Sequence, residues 1–142
     1  MTPLSLLPIA HATAQMSKDP STKVGALIVG PHNEIRASGW NGFPRGVADT
    51  LDRLNDRDLK YLFVVHAEAN AIANAARSGT PTHGCALVVT ALHPCNECAK
   101  TVIQAGIRKV YAPLPEDDGR WAASFAIASE MFREAGIAVE FY

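Results

Sequence analysis

Two short stretches constrain this chain more than anything else in it: "VVHAEANAI", Val64 to Ile72, and "HPCNECAK", His93 to Lys100. In the first, His66 and Glu68 interrupt an apolar, alanine-rich run. An imidazole and a carboxylate buried there without partners would carry a desolvation cost that some other group must offset. In the second, Cys95 and Cys98 stand with two residues between them at the start of a helix. That spacing at a turn lets both sulfurs converge on one tetrahedral metal centre. Whatever the fold, it has to bring these two segments together.

If they meet, one imidazole and two thiolates surround a cation. A structural zinc takes four protein ligands, so with three the remaining position falls to water. Two thiolates cancel the charge of a divalent ion, and the free N–H groups of a helix start further stabilise anionic sulfur. Glu68, two residues beyond His66, is then free to face that water and move its proton to a substrate. Zinc brings the pKa of such a water down toward about 7. The order His-x-Glu followed by Pro-Cys-x-x-Cys is the signature of zinc nucleobase deaminases. Here it runs His66-Ala67-Glu68 and Pro94-Cys95-Asn96-Glu97-Cys98. In such chemistry hydroxide attacks the amino-bearing ring carbon while one carboxylate protonates the ring nitrogen and then the departing ammonia. The expected catalytic residue is Glu68, and the expected metal ligands for one zinc ion per chain are His66, Cys95 and Cys98.

The bulk properties narrow the alternatives. A chain of 142 residues suits a single domain, 1–142, with a real core. With 48% hydrophobic and 19% charged residues it is composed like a globular protein. A net charge of -1 leaves no excess of Lys and Arg for an extended nucleic-acid groove, although a small anion needs only a few local cations. No apolar run is long enough to cross a bilayer. The N-terminal "MTPLSLLPIAHATA" loosely imitates a secretion signal, but it lacks a positive n-region and carries Pro8, so it is expected to be a first helix. Three cysteines argue against a disulfide framework and for a reducing, cytoplasmic setting.

Along the chain, Leu4 to Met16 is helix-compatible up to "SKDPST". Lys23 to Gly30 and Ile35 to Trp40 form a hairpin across "PHNE", and "NGFPRG", Asn41 to Gly46, is a loop. Asp49 to Lys60 suggests a loop with one helical turn. A helix follows His66 as far as Arg77, closed by Ser78-Gly79. Strands are expected at Cys85–Leu92, Arg108–Ala112 and Ile137–Phe141, with helices at Cys95–Ala105 and Trp121–Ala135. A hairpin followed by alternating helix and strand implies an α/β fold: one mixed sheet, its later strands parallel, with helices on both faces.

Four stretches, "SKDPSTKVGALIV", "GWNGFPRG", "HAEANAI" and "PCNECAK", resemble the deoxycytidylate deaminase family within the cytidine deaminase-like superfamily. The zinc motifs are shared across that superfamily, whereas "DPSTKVGA" and "NGFPRG" point to the narrower family. The resemblance implies a three-layer α/β/α sandwich around a five-stranded sheet and hydrolysis of dCMP to dUMP and ammonia. It also implies a homo-oligomer, often a hexamer, and places Asn41 and Ala67 against the substrate. Many members respond to dCTP and dTTP through the glycine-rich loop, here Gly42, Phe43, Pro44 and Gly46. There are departures. His93 stands where the family usually has an apolar or aromatic residue, and "TALHPC" is about one residue longer than usual. The short stretch from Asp49 to Tyr61 leaves no room for a second metal-binding insertion.

For a nucleotide's phosphate the candidates are Ser21, Thr22 and Lys23 beside a turn, and Arg45 in the glycine-rich loop. Other readings stay open. The substrate could be a 5-substituted dCMP, CMP, a free base or a tRNA adenosine, although the last would call for a basic surface. The other class is a non-catalytic zinc protein in which a fourth ligand such as His93 closes the site, a reading that the presence of Glu68 disfavours. His11, His32 and His83 are expected to be solvated or locally bonded, and Cys85 a buried strand residue. Trp121 is expected in the core on an amphipathic helix, while Trp40 and Phe43 could be core or stacking residues. Asn41 could simply serve the backbone of its turn.

Overall fold

A computed structural model describes all 142 residues. Its centre is a five-stranded sheet in the order β2-β1-β3-β4-β5. β1 (Gly25–Val29) and β2 (Ile35–Trp40) form the antiparallel hairpin, and β3 (Ala86–Val89) runs antiparallel to β1. β4 (Lys109–Ala112) and β5 (Ala138–Phe141) continue in parallel from β3, as the helix–strand alternation requires. Every residue of β1 and β3 is buried, which explains why these strands read as unbroken apolar runs rather than alternating ones.

Successive residues of the central strands serve opposite faces. Leu27, Val29 and Val88 pack under α1 (Leu7–Ala14) with Leu6, Ala10 and Tyr111. Ala26, Ile28, Leu87, Val89 and Val110 face α4 (Ala67–Ser78), α5 (Asn96–Gln104) and α6 (Ala122–Glu134) through Ala71, Val102, Ala128 and Phe132. The result is the three-layer sandwich that the family resemblance implies. No helix is long and apolar enough to cross a membrane.

Three segments differ from expectation. The strand expected over Cys85–Leu92 covers only Ala86–Val89, because the chain turns at Ala91. The first helical stretch is split into a 3-10 turn, Pro3–Leu6, and α1, with Pro8 in the first turn of α1, where its missing N–H costs nothing. Asp49 to Lys60, expected as a loop with one turn, holds α2 (Leu51–Asn55) and the start of α3 (Arg57–Phe63). Each is too short to show a periodic apolar face. Their starts are stabilised by capping instead: Thr50 accepts from the Arg53 N–H at 3.3 Å, and Asp56 from the Leu59 N–H at 3.1 Å.

Two contacts position the site. Gly39 of β2 lies so close to α4 that an added Cβ would come 2.4 Å from the Ala71 nitrogen and 2.7 Å from the Ala67 oxygen. At the end of β3, Thr90 accepts from the Gly25 N–H at 2.9 Å. The next residue, Ala91, has a left-handed φ of 65°, unusual for a side chain with a Cβ. This turn takes up the long "TALHPC" connection and delivers Cys95 to the start of α5.

Candidate active site

Both halves of the site are helix starts. His66 is the N-cap of α4 with extended backbone, and Glu68 follows in the first turn, only 5% exposed. Cys95 caps α5, its sulfur accepting the Cys98 N–H at 3.4 Å. The two starts meet beside the carboxyl end of β3, and His66 Nδ1 lies 3.3 Å from Cys98 Sγ and 3.5 Å from Cys95 Sγ. All three donor atoms lie within 4.8 Å of one another. Tetrahedral ligation with Zn–S near 2.3 Å and Zn–N near 2.0 Å sets nitrogen and sulfur about 3.5 Å apart. The chain therefore presents the donor types and spacings that zinc takes.

The electrostatics suit a cation as well. Hydrogen bonding to Cys98, and next to His66, pushes the Cys95 thiol down to about 4, while the Cys95 sulfur pushes Cys98 up. The hydrogen bond to Cys95 in turn raises the imidazole of His66. A bound divalent ion displaces these protons, so its affinity falls in acid. Burial raises the Glu68 carboxyl above the ordinary glutamate range, with His66 opposing the shift.

His66, Ala67, Glu68 and Cys95 line a pocket whose walls include Ser21, Thr22 and Asn41. Lys23 is exposed and does not line it. Arg45 turns away to donate to Asn74 Oδ1 of α4 at 3.3 Å. Asn41 borders the pocket, but its amide is engaged by backbone: Oδ1 accepts from the Val24 N–H at 2.9 Å and Nδ2 donates to the Thr22 oxygen at 2.9 Å. Gly42 and Phe43 border a second cavity, which shares Asp19, Asn41, Lys60 and Val64 with the first. Phe43 stacks on Phe63 at 5.2 Å, and Pro44 and Gly46 lie outside both cavities.

Several wall residues were not foreseen: Asp19, Lys60, Tyr61 and Phe125. Only the charge of a lysine set among apolar neighbours in "DLKYLF" hinted at one of them. Trp121, expected in the core, lines the pocket from the residue before α6 and meets Tyr61 edge-on at 5.7 Å. His93 is not in the ligand group. Its ring sits 2% exposed among Phe125, Phe132 and Phe141, Nδ1 bonds the Pro94 oxygen at 2.8 Å, and Nε2 has no partner. Burial lowers its pKa.

Three ligand atoms from two helix starts, with a buried carboxyl beside them at the bottom of a pocket, define the class of metal site found in zinc-dependent hydrolases. The chain belongs to the cytidine and deoxycytidylate deaminase family: residues 3–113 match the model of its zinc-binding region. Its cofactor is accordingly zinc. An uncharacterized deaminase encoded in the luxG 3' region of Aliivibrio fischeri is 44% identical over 133 residues, covering 92% of this chain and 86% of that one. Human deoxycytidylate deaminase is 46% identical over 113 residues, covering 76% of this chain. This chain spans only 62% of the human enzyme's length. The dCMP deaminase of cyanophage S-TIM5, solved in complex with dCMP and dUMP, superposes with a TM-score of 0.78 at 30% identity, covering 100% of this chain and 99% of that one.

Proposed function

We propose that residues 1–142 form one catalytic unit that hydrolyses dCMP to dUMP and ammonia. The observation that carries this reading is the convergence of His66 Nδ1 and the two sulfurs within 4.8 Å beside a carboxyl that is 5% exposed. The relatives support dCMP as substrate, being named for that reaction. His66, Cys95 and Cys98 hold the ion, which when bound supplies hydroxide near neutral pH. Glu68 takes the proton of the attacking water, passes it to the ring nitrogen next to the reacting carbon, and returns a proton to the departing amino group. Its burial keeps the carboxyl basic enough for this traffic. Ala67, fully buried in the pocket wall, packs against the base, and Asn41 fixes the wall through Val24 and Thr22. Ser21 and Thr22 offer hydroxyls toward the sugar phosphate.

A closed, non-catalytic zinc site is disfavoured because the donor group has three members and His93 bonds Pro94 instead. The second cavity, bordered by Gly42 and Phe43 and sharing a wall with the first, supports control by dCTP and dTTP at the loop from Gly42 to Gly46. Exposed apolar side chains, including Leu62 at 83% and Leu114 at 68%, support assembly into a homo-oligomer, with a hexamer expected by sedimentation. The absence of any disulfide supports a cytoplasmic setting.

The test is ammonia release from dCMP, CMP, deoxycytidine, cytosine and 5-methyl-dCMP, with and without dCTP and dTTP. Turnover of dCMP well above the others is expected. Preference for a free base or a ribonucleotide contradicts the assignment.

A further inference from the structure

α4 carries two asparagines, Asn70 and Asn74, in a stretch that is otherwise mostly alanine, "AEANAIANAAR". Asparagine forms helix less readily than alanine, so each weakens the helix unless its side chain is used elsewhere. Four residues apart, they stand on one face of α4. We infer that the pair latches α4 to the free edge of β2, and that Asn70 is the positioning residue that sets His66 for zinc. This role concerns the metal centre and rests on His66 being a zinc ligand, whatever the substrate.

β2 pairs only with β1, so every second carbonyl along its outer side lacks a ladder partner. Asn74 Nδ2 donates to the Ser38 oxygen at 2.7 Å, and Asn70 Nδ2 to the Trp40 oxygen at 2.7 Å. Carbonyl oxygens only accept, so it is the amide nitrogens that face the strand. Between Ser38 and Trp40 lies Gly39, on whose bare backbone α4 rests. The two amides thus grip β2 on either side of its closest contact with the helix.

The two strand bonds match in length but differ in what else their residues hold. Asn70 Nδ2 also reaches the Val65 oxygen at 3.4 Å, and the Asn70 N–H donates to the His66 oxygen at 2.9 Å. Val65 is in turn bridged to the continuation of β2: its N–H donates to the Gly42 oxygen at 2.8 Å, and its own oxygen accepts the Gly42 N–H at 3.1 Å. Asn70 therefore ties both His66 and the residue before it. His66 is the N-cap of α4, yet its side chain caps nothing, which frees the ring for metal and leaves the helix start without the usual side-chain bond. Asn70 supplies that restraint from one turn inside the helix. Asn74, a turn further on, bonds Ser38, Arg45 and Arg77 and touches nothing beside a metal ligand.

Two measurements test this without substrate: zinc affinity by competition with a chromogenic chelator, and the d–d absorption bands of the cobalt(II)-substituted protein. Asn70→Ala favours helix but removes the amide, and should weaken zinc about tenfold and alter the cobalt bands, as for other groups that orient metal ligands. Asn70→Leu, similar in shape and without a donor, should do the same. Asn74→Ala loses a strand bond of equal length and should leave zinc affinity within about twofold and the cobalt bands unchanged. Equal losses in the two alanine variants would show a general loosening of α4 and overturn the role of Asn70. His66→Ala separates the two readings. If it keeps the parental zinc affinity, His66 is no ligand and the positioning role falls with that assignment; a loss there with none at Asn70 overturns the positioning role alone.

Discussion

The floor and the mouth of the pocket are built in opposite ways. The floor comes from two helix starts seated on the buried centre of the sheet, where Glu68, Cys95 and Cys98 are all buried. The mouth comes from α3, the Asp19–Thr22 turn and the residues leading into α6, where long side chains reach inward from separate segments. The floor draws its side chains from two contiguous segments, whereas the mouth assembles Asp19, Lys60 and Trp121 from three separate ones.

The contrast can be broken or sharpened by substitution. The largest effect belongs to the floor: Glu68→Gln should lower dCMP turnover about a thousandfold, within the range for lost general acid–base catalysis, with one zinc per chain still found by metal analysis. Retained turnover would remove Glu68 from the chemistry. Next comes Lys60→Met alone, which strands the Asp19 carboxylate and should cost about 3 kcal/mol in chemical denaturation. Adding Asp19→Asn should recover most of it. If it does not, the stranded carboxylate is not the cause of the loss.

His93→Phe should change stability by no more than about 1 kcal/mol near pH 8, because removing an imidazole nitrogen that has no partner offsets the loss of the Nδ1 bond to the Pro94 oxygen. Its pH dependence follows from the depressed pKa of His93. The unfolded chain takes up this proton near 6.5 and the folded chain only at lower pH, so stability is full above 6.5 and is lost as pH falls through the depressed value. The stability of the phenylalanine variant relative to the parent chain, read from paired thermal melts, should therefore rise as pH falls from 8 to 5. The smallest effect is expected for Arg45→Ala: dUMP affinity should stay within about twofold, since a side chain bonded to Asn74 outside the pocket contributes little.

This contrast also decides what could be read in advance. His66, Glu68, Cys95 and Cys98 sit in two contiguous motifs whose spacing suits one metal centre, and a hairpin followed by alternating helix and strand implied a sheet covered on both faces. The mouth has no such signature, because Asp19, Lys60 and Trp121 are brought together only by the topology. Trp121 was assigned to an amphipathic helix face, yet it precedes the first residue of α6 and so stands at the helix end, beside the pocket. Lys23 and Arg45 drew notice as cations near a turn and a glycine-rich loop. The strand geometry leaves Lys23 exposed ahead of inward-facing Val24, and the hydrogen bond to α4 holds Arg45 outside. The helices between Leu51 and Phe63 were hidden because capping, not apolar periodicity, starts them.

The bare backbone of Gly39 against Ala67 and Ala71 carries a consequence of its own. It acts as a gauge block: the helix that bears His66 and Glu68 rests on the strand with nothing between them. Gly39→Ala, a change of one methyl group, would have to jack α4 away from the sheet, shifting His66 and Glu68 relative to the sulfurs of α5 without touching any of them. A defect in turnover and metal retention could thus originate at a residue with no chemistry of its own.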